Sequence, residues 1–357
     1  MQARPSSLLS KLSRYMPRGG FKRETSYRIL VVIISLTFSA ILAELVLRLF
    51  FADRVLFVQD EKNTVFRYDR ELGWFPIENS VSTFTDSRTI QIQHNTMGFR
   101  DREHRAGTKP RLLFLGDSFV WGYDVEQHER FTDLLAERLP DWDIINVGVA
   151  GYSTDQEYLL LQKFLARFDP DIVFLVFCTD NDMLDNSSNG VFNGDYYKPY
   201  FEIIGETLLL KGIPVPKSMQ YVYAEHRNLS RFYFLRATVR LYYKIFGEPI
   251  LTTTDPTLKI IAQVRRFVED RRAVFLVGLQ KPQATLEGFL EDQAIPYVHL
   301  DNPHVYPKEA GSHWTPRGNA FVSDTLYEFL HQGKYLDRKR AHSGEEREGS
   351  VKRTSGR

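Results

Sequence analysis

From Arg111 onward the chain alternates short apolar runs with amphipathic stretches. Leu112 to Leu115, Asp143 to Val147, Asp171 to Phe177, Ala273 to Gly278 and Tyr297 to Leu300 carry apolar residues without a helical period, as strands covered on both faces require. Between them, Arg130 to Leu139, Asp155 to Phe168, Pro256 to Glu269 and Pro316 to Leu330 repeat apolar residues at helical spacing. Pro316 opens the last of these, where a missing N–H is no loss. Strands separated by helices of this length predict an α/β three-layer sandwich, a central parallel sheet with helices on both faces. The stretch from Met183 to Asp255 breaks the alternation and is too long for a plain loop. Dense in aromatics from Tyr221 to Phe246, it predicts a helical insertion (183–255), either a lid near the strand ends or a unit whose aromatics fill its own small core.

Ahead of this region the pattern changes. Ile29 to Phe51 is apolar apart from Ser35, Thr37, Ser39, Glu44 and Arg48. At about 1.5 Å per residue it is long enough for a hydrocarbon layer of about 30 Å, which predicts a transmembrane helix over 29–51. Glu44 and Arg48, four apart, can pair on one face near the outer interface. A cleaved signal peptide fits less well, because the run exceeds an h-region and no small-x-small cleavage site follows. Residues 1–28 hold seven Lys and Arg against one acid, Glu24. Such a basic arm predicts a cytoplasmic N-terminus and an exported remainder: a single-pass signal-anchor protein, in a Gram-negative bacterium one of the inner membrane with its main domain in the periplasm. Residues 52–106 carry short alternating pieces, Ser82 to Thr85 and Thr89 to Gln93, with turns at Leu72-Gly73-Trp74 and Met97-Gly98-Phe99, and predict short strands beside the main domain. His94 and Arg100 fall here and read as surface residues. The main domain is expected over 107–335, and the charged, Ser/Gly-containing tail, 336–357, is expected to be disordered.

Composition narrows the function. A formal charge of +1 over 357 residues gives no reason to expect nucleic acid as a partner. The Tyr- and Arg-rich run from Arg231 to Lys244 has the composition of a nucleic-acid surface, which an exported domain argues against, and equally that of an interfacial lid near lipid headgroups. One cysteine, Cys178, rules out an internal disulfide. The spacings of His299, His304 and His313 match no helix-face metal pair, so no cofactor and no metal are expected.

Candidate chemistry gathers at the ends of the predicted strands. Gly116-Asp117-Ser118 ends the first, Asn146-Val-Gly-Val-Ala-Gly151 follows the second, Thr179-Asp180-Asn181-Asp182 follows the third, and His313-Trp-Thr-Pro-Arg-Gly318 precedes the last helix. In a parallel sheet the carboxyl ends of the strands share one edge, where α/β proteins bind ligands. Each stretch alone is weak, since Ser, Gly and Asn commonly do no more than turn or cap a chain. In this order they resemble the SGNH, or GDSL, esterase/lipase family over roughly residues 107–335. The resemblance implies Ser118 as nucleophile and His313 as general base. It implies an oxyanion hole from the Ser118 and Gly151 backbone N–H groups and the Asn181 amide. The physics agrees: neutral donors stabilise the oxygen of an attacked ester carbonyl, glycine admits close backbone approach, and a near-neutral imidazole can take and return the serine proton.

The chain departs from the family at two places. The aspartate usually found three residues before the histidine is replaced by Ala310, leaving Glu309 as the candidate orienting acid, with Asp301 or a backbone carbonyl as alternatives. The family's Gly-x-Asn-Asp block also departs here, with Thr179 and Asp180 before Asn181. The expected function is a membrane-anchored esterase or deacylase acting through an acyl-serine, on an acetylated envelope glycan or a lipid-like ester. Two alternatives differ from it. One is an O-acyltransferase passing the acyl group to a polysaccharide, with a multi-span acyl-donor protein as partner; the other is an inert glycan- or partner-binding envelope protein.

Overall fold

The computed structural model describes residues 20–51, 65–105, 107–191, 196–307 and 312–337. Most of the basic arm (1–19), the charged tail from residue 338, Glu309 and Ala310 lie outside the described residues.

Two compact units are present. The smaller comprises 1–57 and 226–245, the larger 58–225 and 246–357. In the smaller unit, helix α1 (Gly20–Phe50) starts upstream of the apolar run. It is long and apolar enough over Glu24–Phe50 to cross a membrane, and its apolar side chains are exposed along its length.

The larger unit is built on a five-stranded sheet: β1 (Arg111–Gly116), β2 (Asp143–Asn146), β3 (Ile172–Phe177), β4 (Val274–Leu279) and β5 (Tyr297–His299). Its order is β5-β4-β3-β1-β2, and every pairing is parallel. The helices of this unit are α2 (Ser118–Trp121), α3 (Phe131–Arg138), α4 (Thr154–Phe168), α5 (Asp182–Asn186), α6 (Met219–Glu225), α9 (Thr257–Glu269), α10 (Ala284–Asp292) and α11 (Pro316–Gln332). Helices α7 (Arg227–Ser230) and α8 (Tyr233–Phe246) fall in the smaller unit, apart from the last residue of α8.

The apolar strands are continuous in sequence because both faces are buried. On β1, Leu112 and Phe114 join one core with Phe131 and Leu135 of α3 and Val322, Leu326 and Leu330 of α11. Leu113 and Leu115 point the other way, into a core shared with Leu161 and Leu165 of α4 and Ile260, Ile261 and Val264 of α9. That two-sided alternation is the period of a strand, and it yields three layers. After β1 the chain goes to β2 on one side and returns past β1 to β3 on the other, so the switch point lies between β1 and β3.

The stretch before β1 forms two antiparallel hairpins, Phe66–Asp69 with Gly73–Pro76 and Val81–Thr85 with Thr89–Gln93. Their inward side chains, Phe66, Trp74, Phe75 and Phe84, belong to the α4 and α9 core. The insertion is not helical throughout. It contains antiparallel pairs, Gly190–Val191 with Tyr196–Tyr197 and Tyr200–Ile204 with Thr207–Lys211. The second turns at Gly205, where a φ of +59° suits a residue without a side chain. Asn186 of α5 is fully buried, accepting from Asp155 N–H and donating to Thr257, which ties the start of the insertion to α4 and α9.

Candidate active site

Ser118 stands at the end of β1, as the first residue of α2. A helix this short needs its start fixed, and Asp117 does so: its Oδ1 accepts the N–H of Phe119 at 2.9 Å. The turn closes on Gly122, whose φ of +87° completes a left-handed cap as its N–H reaches the Ser118 carbonyl. Phe119, Val120 and Trp121 are buried, so the packing of α2 fixes the position of Ser118, which is itself partly exposed.

Arg100 clamps the far side of this turn. It is buried, not on the surface as its isolated place in the sequence suggests, and donates to the carbonyls of Gly122 at 2.5 Å, Val125 at 2.7 Å, and Trp121 and Gln91 at 3.2 Å. The planar guanidinium suits a site with several fixed acceptors. His94 is likewise buried, its Nδ1 beside Ser80 Oγ and the Ile77 carbonyl. Burial first, and then the nearby Arg100 and Arg130, lower its pKa to about 4.

His313 reaches the serine from the β5 to α11 connection. Its neighbour Trp314 is buried edge-on against Phe119 and Phe131 and forms a bridge with Val305, while the Tyr306 N–H holds the His313 carbonyl at 2.8 Å. Thr315 then caps α11, accepting from Gly318 N–H at 3.2 Å. Gly318 is needed there, because a Cβ would fall 2.3 Å from the His304 carbonyl oxygen. With Trp314 fixed inside, His313 stays at the rim. Its Nε2 lies 2.8 Å from Ser118 Oγ. The imidazole is stacked on the Tyr123 ring, centroids 4.2 Å apart and planes 22° off parallel, with Phe119 at 5.1 Å.

Ser118 Oγ has a second neighbour, Asp117 Oδ2, at 3.2 Å. A hydroxyl has one proton, so carboxylate and imidazole compete for it, and the shorter approach is to the imidazole. Asp117 is fully buried, and burial pushes its carboxyl up to about 6 against the opposing pull of the hydrogen bonds it accepts. Glu157 and Asp182 are buried nearby and raised well above the carboxylate range, first by burial and then by neighbouring carboxylates.

Gly151 lies in the loop after β2, with a φ of +82°. The loop is held from both sides. Asn146 Nδ2 donates to the Val120 carbonyl at 2.7 Å and Val149 N–H to Gly116 at 3.1 Å. Gly148 packs so closely that a Cβ would meet Trp121 N at 2.5 Å. On the other side Trp74 Nε1 donates to the Ala150 carbonyl at 3.1 Å and the Tyr152 hydroxyl donates to the Trp74 carbonyl. Asn181 stands at the N-terminal boundary of α5 after β3, where its side chain caps no backbone N–H and its amide donates to Asp185 Oδ2 at 3.3 Å. No glycine is needed in this turn. Asp182 N–H bonds the Cys178 carbonyl and Asp182 Oδ2 accepts the Cys178 N–H, both at 3.0 Å, while Thr179 and Asp180 face Gln280 and Lys281.

Ser118 and His313 are thus in hydrogen-bonding contact, and Gly151 and Asn181 stand on the neighbouring loops beyond β2 and β3. Of the candidate acids, Asp301 is exposed and Glu309 lies outside the described residues. Arg100, Trp74 and Tyr123 surround this site with no motif to mark them, whereas Asp117 stands in the motif as the residue before the serine.

Among curated proteins no sequence matches the chain. Similar solved structures include a lipolytic G-D-S-L family protein from Veillonella parvula, 13% identical, covering 62% of this chain and 98% of that one with a TM-score of 0.37. Another is the psychrotrophic esterase EstA from Pseudoalteromonas sp., 11% identical over 64% of this chain and 100% of that one, TM-score 0.38. A GDSL-like lipase from Bacteroides thetaiotaomicron is 14% identical over 63% and 89%, TM-score 0.33. The model of the GDSL-like lipase/acylhydrolase family matches residues 114–314, from the strand that delivers Ser118 to the residue after His313, and the chain belongs to that family of ester hydrolases.

Proposed function

We propose that this chain is a membrane-anchored serine esterase working through an acyl-Ser118 intermediate. The observation that carries the reading is the 2.8 Å approach of His313 Nε2 to Ser118 Oγ at the carboxyl end of β1. As Ser118 Oγ attacks the ester carbonyl, its proton passes to Nε2. The tetrahedral intermediate then expels the alcohol, which takes that proton from Nε2. Water attacks the acyl-serine by the same route, giving its proton to Nε2 and releasing the acid and free Ser118. The Ser118 and Gly151 N–H groups and the Asn181 amide supply the oxyanion donors, each worth about 3 kcal/mol. Glu309 is assigned to orient the imidazole, and Tyr123, stacked on it, fixes the plane of the ring.

Helix α1 is the anchor, with the basic arm in the cytoplasm and the hydrolase exported, in a Gram-negative cell to the periplasm. That setting favours an acetylated envelope glycan or a lipid-like ester as substrate. The test uses the full-length chain in detergent with a chromogenic acetate ester. Ser118→Ala and His313→Ala are each expected to lower kcat by at least about a thousand-fold, and a fluorophosphonate should label Ser118. Unchanged rates in both variants overturn the reading. Faster turnover when a sugar acceptor replaces water reassigns the same intermediate to acyl transfer.

A further inference from the structure

Residues 226–246 hold five Arg and Lys and no acid. Within α8, Phe234, Leu241 and Ile245 form one stripe, spaced seven and four apart, and all three are exposed, Leu241 and Ile245 by more than half. Arg240 and Lys244, four apart and exposed, run along another side of the helix, while Arg236 is buried with its Nε on the Ser230 carbonyl. Leu229 and Phe232, just ahead of it, are more than half exposed as well. An exposed apolar stripe backed by cations, with no acid to offset them, is the composition of a helix lying in a lipid interface.

The smaller unit supplies a second, independent observation. The two charged side chains in the apolar part of α1 are committed to this segment. Glu44 Oε2 accepts the N–H of Phe234 at 2.8 Å, at the start of α8, while its Oε1 holds Arg48 Nε at 2.6 Å. Arg48 in turn donates to the carbonyl of Arg231 at 2.8 Å and lies 4.6 Å over the ring of Tyr233. A Glu and an Arg this close to the end of an apolar helix are costly in lipid unless satisfied. Here one caps the first turn of α8 and the other closes the turn before it. The clasp falls six residues and fewer from Phe50, the end of the helix able to span a membrane, which is where headgroups replace hydrocarbon.

We infer that the segment Arg227–Ile245 is a second membrane contact, an amphipathic helix laid into the headgroup layer of a phospholipid bilayer and seated there by Glu44 and Arg48 of the spanning helix. The inference rests on reading α1 as a membrane span. The occupant is lipid because the exposed stripe is joined, through Glu44 and Arg48, to a helix whose own apolar surface is exposed and because the exposed Arg240 and Lys244 suit anionic headgroups.

The test reconstitutes the full chain in phosphatidylcholine–phosphatidylglycerol vesicles, with an environment-sensitive fluorophore on single introduced cysteines. Native Cys178 is buried and stays in place. Probes go on Leu241→Cys and Ile245→Cys, with Phe38→Cys in the middle of the span and Glu206→Cys, a fully exposed position, as references. Quenching is read from phospholipids spin-labelled near the headgroup or deep in the chain. The expected result is several-fold stronger quenching at Leu241→Cys and Ile245→Cys than at Glu206→Cys, greatest with the shallow label, and quenching of Phe38→Cys by the deep label. Adding Glu44→Ala and Arg48→Ala should reduce the quenching at Leu241→Cys and leave Phe38→Cys unchanged; undiminished quenching overturns the clasp. Quenching of Phe38→Cys without quenching at Leu241→Cys or Ile245→Cys overturns the interfacial helix and leaves the span intact. Shielding of those two probes from aqueous iodide without lipid quenching also overturns it, and points to a protein partner or a second copy. If Phe38→Cys is not quenched, the span itself fails and the inference falls with it.

Discussion

Replacing Asp117 by Asn separates two roles the aspartate holds in the structure. As the cap of α2 it presents Oδ1 to the Phe119 N–H, and Asn can do the same, being as good an N-cap. As a charge it is misplaced. Its carboxyl is fully buried and raised from 3.8 to about 6, so between those values the folded chain holds a proton that the unfolded chain has lost. Its favourable contribution is therefore complete below about pH 4 and is lost as pH rises through 6. Above that, ionised Asp117 costs roughly 3 kcal/mol, from about 1.4 kcal/mol for each tenfold change in proton affinity. Removing the charge also relieves Glu157 and Asp182, whose carboxyls it helps to raise. Asp117→Asn is thus expected to match the parent near pH 3 and to be more stable by about 2–3 kcal/mol at pH 7.5, read by urea unfolding across that range. With Oδ1 on Phe119, the Asn Nδ2 takes the place of Oδ2 and donates to Ser118 Oγ, leaving the serine proton to His313. Ester turnover should persist and kcat should not fall at neutral pH. A stability gap independent of pH, or a variant weaker than the parent at pH 7.5, would refute the account of Asp117.

Three further predictions follow from the same geometry. Asn181→Ala removes a proposed oxyanion donor and should lower kcat by about a hundred-fold or more with little change in KM, measured by steady-state ester hydrolysis; an unaltered kcat removes Asn181 from the hole. Arg100→Lys keeps the charge but cannot span the carbonyls of Trp121, Gly122 and Val125. It should cost about 2–4 kcal/mol in unfolding free energy and slow acylation of Ser118 by a fluorophosphonate. Lys198→Met strands Asp155 in a fully buried ion pair, with an expected loss of about 3–5 kcal/mol that the double variant Lys198→Met/Asp155→Leu should largely restore.

The sheet was legible because burial on both faces leaves little freedom in what a strand can be. Leu112 to Leu115 and Ile172 to Phe177 could hardly have been anything else once helices flanked them. The candidate nucleophile and base were legible because each sits at the end of such a strand or ahead of the last helix. The supporting residues were not. Arg100 is an arginine in a polar stretch, and nothing local reveals that four backbone carbonyls converge on it. Trp74 and Tyr123 act on loops 76 and 190 residues away in the chain, distances over which periodicity says nothing. Helix α10 leaves little trace in the sequence because only Leu286 and Leu290 of its nine residues are buried, too short a stripe to stand out. The insertion's Tyr200–Lys211 hairpin was hidden among aromatic residues that suit helix and strand alike.

The clasp that Trp74 makes on both sides of the Gly151 loop bears on where the protein can be cut. Sequence similarity to other hydrolases begins at residue 114, and trimming to that point would seem to leave the whole enzyme. Such a truncation would discard Trp74 and Arg100 and leave the carbonyls of Ala150, Gly122 and Val125 without their donors. The ancestral sheet would survive with a slack rim. A soluble form must keep Trp74 and Arg100, so the folded body that holds this rim is larger than the stretch the family model matches.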